Sequence, residues 1–192
     1  MKLKTIAKIQ SGHISRGRIE PLDDGDFHLL QARNVDAESL SYRVDTMVRF
    51  NPTKSGKDWV LKKGDLLFMA RGARNFTLLI EELPDDVLAA ACFFIIRIKS
   101  RQVMPEYLFW YLNQEPVAHY LHRYSGRGVH MPIVKRDVLE NIDVPVPPLE
   151  TQKRVTQMAV LMKKEQLLLQ ELAHKRKNLI TKTCLRAIRN NS

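Results

Sequence analysis

The chain has 192 residues, 44% of them hydrophobic, which suffices for one well-packed domain with an appendage but not for two domains of ordinary size. Lysine and arginine total 31 against 21 acidic residues, and the resulting charge of +10 favours a polyanionic partner over an acidic protein or a neutral metabolite. The longest apolar run, Val87–Ile96, is shorter than the roughly 18–20 residues of a membrane span, and no signal peptide is recognisable. We therefore expect a soluble cytoplasmic protein without a membrane segment.

The first half of the chain carries the patterns of short strands. A short helix is predicted to open the chain and to end at Ser11-Gly12, because its apolar residues fall on one helical face. Breaker residues predict a loop over Asn51–Lys57 and a turn at Lys63-Gly64. Apolar runs and two-residue alternation predict strands over Phe27–Val35, Trp59–Leu61, Asp65–Ala70, Phe76–Ile80 and Val87–Ile98.

Helices are predicted after these strands. Pro105 and Pro116 are each well placed to start one, and apolar residues at three-four spacing follow both. A short helix is expected near Arg136–Glu140. The alternation of Ile142–Val146 predicts a last strand, which its proline confines to a sheet edge.

A long helix is predicted from Leu149, because neither Pro nor Gly occurs after the pair Pro147-Pro148. We therefore expect a globular domain over residues 1–148 and a helical arm over residues 149–192. The arm has a heptad-like apolar seam formed by Val155, Met158, Met162, Leu169, Leu172 and Leu179. An isolated helix with so much apolar surface must pack on its own body or on another chain, and we favour self-association into a homodimer.

One polar loop interrupts the apolar strands. Arg71-Gly-Ala-Arg-Asn75 places two guanidinium groups and an amide between two apolar runs, the pattern of a strand, a loop and a strand with polar side chains at the tip. Such donors can bind the edges of bases in the major groove. An equally good alternative for Arg71 is that it satisfies nearby backbone carbonyls.

The order of motifs resembles a known family. Pro147-Pro-Leu-Glu-Thr-Gln152 after a strand and before an amphipathic helix resembles the junction that ends a target-recognition domain in the DNA-specificity (S) subunits of type I restriction-modification systems. The same order of elements includes Lys63–Gly72, Cys92–Ile98, Pro105–Leu112, Ser125–Gly128 and Pro132-Ile133. Typical members carry two recognition domains and two spacer helices. We find no internal repeat, so the chain resembles a half-length form with one domain.

The resemblance implies a mixed α+β fold, in which one target-recognition domain with a central twisted sheet and short helices precedes a long C-terminal spacer and dimerisation helix. It also implies a non-catalytic reader of double-stranded DNA that directs methyltransferase (modification) and restriction or motor subunits to a bipartite target. Two identical domains related by a twofold axis would read a palindromic, split site. The residues we expect to contact DNA are loop-borne donors: Arg16, Arg18, Arg71, Arg74, Asn75, Arg127 and His130.

No catalytic motif, cofactor site or metal site is predicted. No lysine has an acid two residues before it, as a carboxylate-x-lysine nuclease requires, and Pro147-Pro148 lacks the flanking residues of a methyltransferase loop. His119 and His122 lack a third metal ligand, and Cys92 and Cys184 lack metal or disulfide spacing. We therefore expect a protein that is not an enzyme.

Two alternatives remain open. The chain could be a protein-interaction module whose helix docks on a partner coiled coil, with only non-specific affinity for DNA. It could also be a fragment of a longer subunit, or the reader part of a fused enzyme.

Overall fold

A computed structural model describes residues 1–15, 19–52, 59–124 and 133–190 of the chain. The chain divides into two compact units, Met1–Gln152 and Lys153–Ser192. In chain order the elements are α1 (Leu3–Ile6), β1 (Ala7–Ser11), β2 (Phe27–Leu30), a 3₁₀ helix (Ala32–Asn34), β3 (Val35–Asp36), β4 (Ser41–Tyr42), β5 (Val48–Phe50), β6 (Leu66–Met69), β7 (Thr77–Leu79), β8 (Val87–Ala89), β9 (Phe93–Ile98), α2 (Pro105–Leu112), α3 (Glu115–Tyr124), α4 (Arg136–Glu140) and α5 (Leu149–Asn190). The predicted mixed fold with a long C-terminal helix is confirmed.

The larger sheet has four antiparallel strands in the order β1-β9-β6-β7. All four residues of β6 are buried, which accounts for its uninterrupted apolar run. The predicted turn before β6 is confirmed at Lys63-Gly64, where Gly64 adopts a φ of 87° that glycine tolerates without strain. The predicted apolar strands over 65–70 and 76–80 correspond to β6 and β7.

The smaller sheet has the order β5-β2-β8, with β2 antiparallel to β5 and parallel to β8. β3 and β4 form a separate two-stranded ribbon. The main core draws on strands of both larger sheets and includes Leu30, Leu67, Leu78, Val87, Phe93 and Ile95. The two sheets therefore pack on each other. Burial of each large apolar side chain contributes about 1.5–3 kcal/mol to stability.

Helix α2 closes the body against the junction that leads to α5. The hydroxyl of Tyr107 donates to the carbonyl of Pro145 at 2.8 Å, and that of Tyr111 donates to the carbonyl of Asp143 at 2.9 Å. The predicted helices at Pro105, Pro116 and Arg136–Glu140 are all present as α2, α3 and α4. Pro105 occupies the first turn of α2, where its missing N–H costs no hydrogen bond.

The prediction of one strand over Val87–Ile98 was wrong. The run divides into β8 and β9, which belong to different sheets. A turn at residues 90–92 separates them, and its alanines and cysteine supply little side-chain bulk to hold an extended strand. The region predicted as a strand over Phe27–Val35 is likewise divided, because a 3₁₀ helix separates β2 from β3.

Three further predictions need correction. The opening helix ends at Ile6, and the following residues form β1 because they pair with β9 along the sheet edge. Residues 59–61 form no strand, although Val60 forms an isolated bridge with Leu88 and the Leu61 amide donates to the Val87 carbonyl at 2.9 Å. The Ile142–Val146 segment is no strand, although it lies extended beside the start of the chain, with Val144 N–H donating to the Met1 carbonyl at 2.7 Å. Of the predicted loop over 51–57, residues 53–57 lie outside the described residues.

The second unit consists of the part of α5 that follows Gln152. Seam residues after Val155 are more than half exposed in the single chain: Met158, Met162, Leu169, Leu172 and Leu179. Val155 itself is half-buried. In the described parts of the chain, no helix combines the length and the apolar character that crossing a membrane would require.

Candidate nucleic-acid interface

The turn between β8 and β9, residues 90–92, brings several loops to one edge of the body. The amide of His13 donates to the Ala89 carbonyl at 2.7 Å, so the segment after β1 begins there. The amide of Ala90 donates to the Leu30 carbonyl at 2.9 Å, which places the end of β2 beside the same turn. The amide of Ala70 donates to the Cys92 carbonyl at 2.8 Å. The ends of strands from both larger sheets therefore meet at this turn.

We call the segments that meet here the basic edge: residues 12–15, 31–34, 70–75, 90–92 and 133–136. None of these segments contains an aspartate or a glutamate. Their cations are Arg33, Arg71, Arg74, Lys135 and Arg136, all of them exposed. This edge can therefore approach a polyanion without bringing an acid of its own segments against the phosphates.

The loop after β6 carries three of the predicted DNA-contacting residues. Arg71 and Arg74 are exposed, as direct contact with DNA would require. Asn75 is half-buried, and its side-chain amide donates to the Met69 carbonyl at 2.8 Å. Asn75 therefore helps to hold the loop closed, and one of its donors is already engaged.

The same loop lies beside the segment that precedes α4. Arg71 and Ile133 form an isolated antiparallel bridge, and the amide of Val134 donates to the Ala70 carbonyl at 3.0 Å. Ile133 is 58% exposed although it is apolar. This contact places the segment that leads into Lys135 beside the start of the loop that carries the two arginines.

Arg33 is a candidate that the sequence analysis did not include. It lies on the 3₁₀ helix, which Asn34 fixes from within: the Asn34 side chain accepts from the Gln31 amide at 2.8 Å and donates to the Thr46 carbonyl at 2.8 Å. The backbone of Ala32, at the start of this helix, lies near the thiol of Cys92 in the β8–β9 turn. Burial raises the pKa of that thiol, which favours its neutral form.

The cations of this edge differ in their partners. Arg136 forms a salt bridge with Glu140, with 2.7 Å between Nε and Oε1. Among the residues described, Arg33, Arg71, Arg74 and Lys135 form no salt bridge with an acid. Lys135 could have been found from the sequence, because it lies near other basic residues, Arg127 and Arg136, in the chain. Arg33 carries no such local signal, since its position depends on long-range pairing.

Four predicted DNA-contacting residues, Arg16, Arg18, Arg127 and His130, lie outside the described residues. The residues that precede Arg16 are described. His13 is buried, with its ring 5.5 Å from that of Phe50 and 6.0 Å from that of Trp59 between centroids. Burial lowers the pKa of His13, so the neutral imidazole is favoured there.

At the opposite ends of β6 and β8 the body carries several acidic side chains, unlike the basic edge. An open groove of about 830 Å³ there is lined by Glu81, Glu82, Asp85 and Asp86, with Lys62 and Lys63 at its side. Beside it, Arg97 binds the buried Asp65 through two hydrogen bonds of 2.7 and 2.5 Å. This end of the body is a poor match for DNA because its acids would repel phosphates.

No group of metal-ligating side chains is found in the described ranges of the chain. Cys92 and Cys184 are free thiols and form no disulfide.

The chain matches one protein family and resembles several solved structures. The family model described as "Type I restriction modification DNA specificity domain" matches residues 1–181. The HsdS subunit from Thermoanaerobacter tengcongensis is similar in structure, with a TM-score of 0.59, 18% identity, and coverage of 85% of this chain and 36% of that one. The type I restriction-modification S subunit from M. genitalium gives a TM-score of 0.55 at 7% identity and covers 85% and 38% of the two chains.

A third solved chain comes from work on complex assembly and conformational transition of the type I R-M system. It gives a TM-score of 0.63 at 18% identity, with coverage of 88% of this chain and 38% of that one. The chain thus spans little more than a third of these three solved proteins. No curated protein matches it. The match of the family model over residues 1–181 shows that the chain belongs to the type I restriction modification DNA specificity domain family.

Proposed function

We propose that this chain is the non-catalytic, sequence-reading component of a type I restriction-modification system. In this role it binds double-stranded DNA through the basic edge and directs methyltransferase and restriction subunits to a bipartite target. The observation that carries the proposal is the convergence of acid-free loops, with Arg33, Arg71, Arg74 and Lys135, at the β8–β9 turn.

The exposed side chains of the basic edge suit two kinds of contact with DNA, contacts to bases and contacts to phosphates. The guanidinium groups of Arg71 and Arg74 can donate two parallel hydrogen bonds to a guanine in the major groove. Lys135, as a compact point charge, suits a phosphate, and such contacts supply affinity that falls with salt but no sequence information. We assign Arg16, Arg18, Arg127 and His130 to the same interface, because two of these residues directly follow the segment at His13 and two precede Ile133 in the chain.

We further propose that the chain acts as a homodimer that pairs through the seam Val155, Met158, Met162, Leu169, Leu172 and Leu179. The support is the exposure of these side chains after Val155: 53% for Leu172 and 67% for Leu179. A soluble monomer rarely exposes so extended an apolar surface. Two copies related by a twofold axis would read a palindromic, split site.

The test is selection of bound duplexes from a random-sequence library by the full chain, combined with light scattering of the free protein. We expect enrichment of a split palindromic sequence and a mass of twice 22.3 kDa. A monomeric protein that enriches no sequence would contradict it. That result would favour an interaction module, in which α5 docks on another protein and DNA binding is weak and non-specific.

A further inference from the structure

Ile133 is an exposed apolar side chain on the basic edge. More than half of its surface is accessible in the single chain, and it precedes the buried Val134 and the exposed Lys135. A single exposed isoleucine is ordinary on a protein surface. This one differs in its surroundings, because the segments that meet at the basic edge contain no acid and present cations that suit DNA.

The backbone holds Ile133 opposite an arginine. Its bridge with Arg71 is antiparallel, and the next residue, Val134, donates its amide hydrogen to the Ala70 carbonyl at 3.0 Å. Residues directly opposite each other in an antiparallel pair present their side chains on the same face, with about 4.5–5.5 Å between their Cβ atoms. Arg71 and Ile133 therefore share the exposed face, whereas the side chains of Ala70 and Val134 are buried.

Lys135 extends the same face. It is exposed, and its φ of −75° and ψ of 154° belong to an extended chain. Side chains two residues apart in an extended chain lie on the same side, which agrees with the burial of Val134 between two exposed neighbours. The exposed face thus carries a guanidinium group, a branched apolar side chain and an ammonium group in close succession.

The major groove offers such a face one apolar group. Every base pair presents hydrogen-bond donors or acceptors there, and thymine adds its 5-methyl group. When Arg71 and Lys135 contact DNA, Ile133 lies against the DNA beside them and loses contact with water. An isoleucine that covers donors or acceptors leaves them without partners, which costs free energy. An isoleucine that covers a methyl group gains free energy, because apolar surface on both sides is removed from water.

We infer that Ile133 reads thymine at one position of the target by contacting its 5-methyl group in the major groove. The inference rests on the proposed function, since it requires that the basic edge binds DNA. It extends that function by naming a side chain that reads a base through apolar contact. Discrimination at that position then depends on the methyl group and not on the hydrogen-bonding pattern of the base pair.

The test compares thymine with deoxyuridine, which forms the same pair with adenine but lacks the 5-methyl group. The full chain first selects its sequence from a random library, and each thymine of the selected duplex is then replaced in turn by deoxyuridine. Fluorescence anisotropy gives the affinity of wild type, Ile133→Ala and Ile133→Val for every duplex. Leu22→Ala is the control, because Leu22 is also an exposed apolar residue and lies outside the basic edge. Thermal melting shows whether each variant is folded.

Wild type and Leu22→Ala should bind about fourfold more weakly when one particular thymine is replaced, a difference of about 0.8 kcal/mol in binding free energy. For Ile133→Ala the same replacement should change affinity by less than about 1.5-fold, because the side chain that covers the methyl group is already gone. Ile133→Val keeps a smaller branched side chain and should show an intermediate loss. The combined changes in protein and DNA thereby isolate the contact between the isoleucine and the methyl group.

Two results would overturn the inference while the proposed function stands. The selected sequence could contain no thymine whose methyl group affects affinity. Folded Ile133→Ala could keep the full loss on replacement by deoxyuridine, which would assign the methyl contact to another side chain, such as the exposed Ile14. If the alanine variant does not fold, the valine variant decides, and an undiminished loss there overturns the inference. If wild type selects no sequence at all, the proposed function fails and the inference fails with it.

Discussion

The backbone of Arg71 is paired with that of Ile133 in an antiparallel bridge, although 62 positions separate them in the chain. The pairing brings the loop after β6 against the segment before α4. Both segments then lie beside the β8–β9 turn, where no acid of the converging loops opposes their cations. Single substitutions in these loops should therefore distinguish residues that read bases from residues that bind phosphates.

Replacement of Arg74 by alanine should weaken binding to the selected sequence by about 1–3 kcal/mol if its guanidinium reads a guanine. Preference at one base position should relax, while affinity for unrelated DNA changes little. Fluorescence anisotropy with a series of single-base variants measures both effects. Arg101→Ala is the control, because Arg101 is exposed and lies outside the basic edge. Equal losses in the two variants would remove Arg74 from the set of base readers.

Replacement of Lys135 by alanine should act differently from Arg74→Ala. A lysine that binds a phosphate contributes the same affinity to every sequence, so the variant should bind specific and unrelated duplexes more weakly by a similar factor. The slope of log affinity against log salt should decrease by about one unit. Lys99→Ala should leave the slope unchanged, because Lys99 is exposed directly after β9 and lies outside the basic edge. An unchanged slope for Lys135→Ala would place this lysine away from the phosphates.

The convergence of these loops could not be predicted from the sequence, although most single elements could. Pro105 and Pro147-Pro148 mark helix starts because proline fits the first turn, and α2 and α5 begin close to them. The strands β6 and β7 follow from their apolar runs. The turn at residues 90–92 lacks glycine and proline, so Val87–Ile98 has the pattern of one strand. This segment is divided into β8 and β9 because β8 pairs with β2 and β9 pairs with β6, strands that are distant in the chain. Arg33 lies at the basic edge because the end of β2 is held beside the turn between β8 and β9.

Replacement of Asp65 by asparagine should lower the free energy of unfolding by about 1–3 kcal/mol, because the Arg97 guanidinium loses its paired carboxylate. Asp65 is 3% exposed at its side chain and Arg97 33%, so water reaches the arginine and limits the loss. Urea denaturation measures the effect. Asp85→Asn, at an exposed acid of the neighbouring groove, should change stability by less than about 0.5 kcal/mol. A larger effect at Asp85 than at Asp65 would contradict this account of the pair.

Stability should decrease as the pH falls below about 6.5, because burial holds the pKa of His13 below its ordinary value. His13 therefore binds a proton at a higher pH in the unfolded chain than in the folded chain, so acid favours unfolding. Above about pH 6.5 the imidazole is neutral in both states, and His13 no longer makes stability depend on pH. Thermal melts between pH 5 and 7.5 measure the loss. His13→Phe, which cannot titrate between Phe50 and Trp59, should show a smaller decrease in the same range. An identical decrease in the variant would assign the pH dependence to other groups.

Replacement of Leu169 by aspartate should abolish self-association, because it places a charge in the apolar seam of α5. Leu169 is 59% exposed in the single chain, so the substitution removes no packing within the chain itself. Light scattering should show a monomer of 22.3 kDa, with the melting transition of the body retained. Gln170→Asp adds the same charge one residue away from the seam and should remain dimeric. If both variants stay dimeric, the seam is not the pairing surface.

Hydrogen–deuterium exchange with and without the selected duplex tests the central claim most directly, since it reports which backbone segments DNA protects. We expect protection at residues 31–34, 70–75 and 133–136, which meet at the β8–β9 turn. We expect no protection at residues 81–86, where the acids line the opposite groove. Protection confined to residues 81–86, or to the basic C-terminal part of α5, would contradict the assignment of the basic edge as the surface that reads DNA.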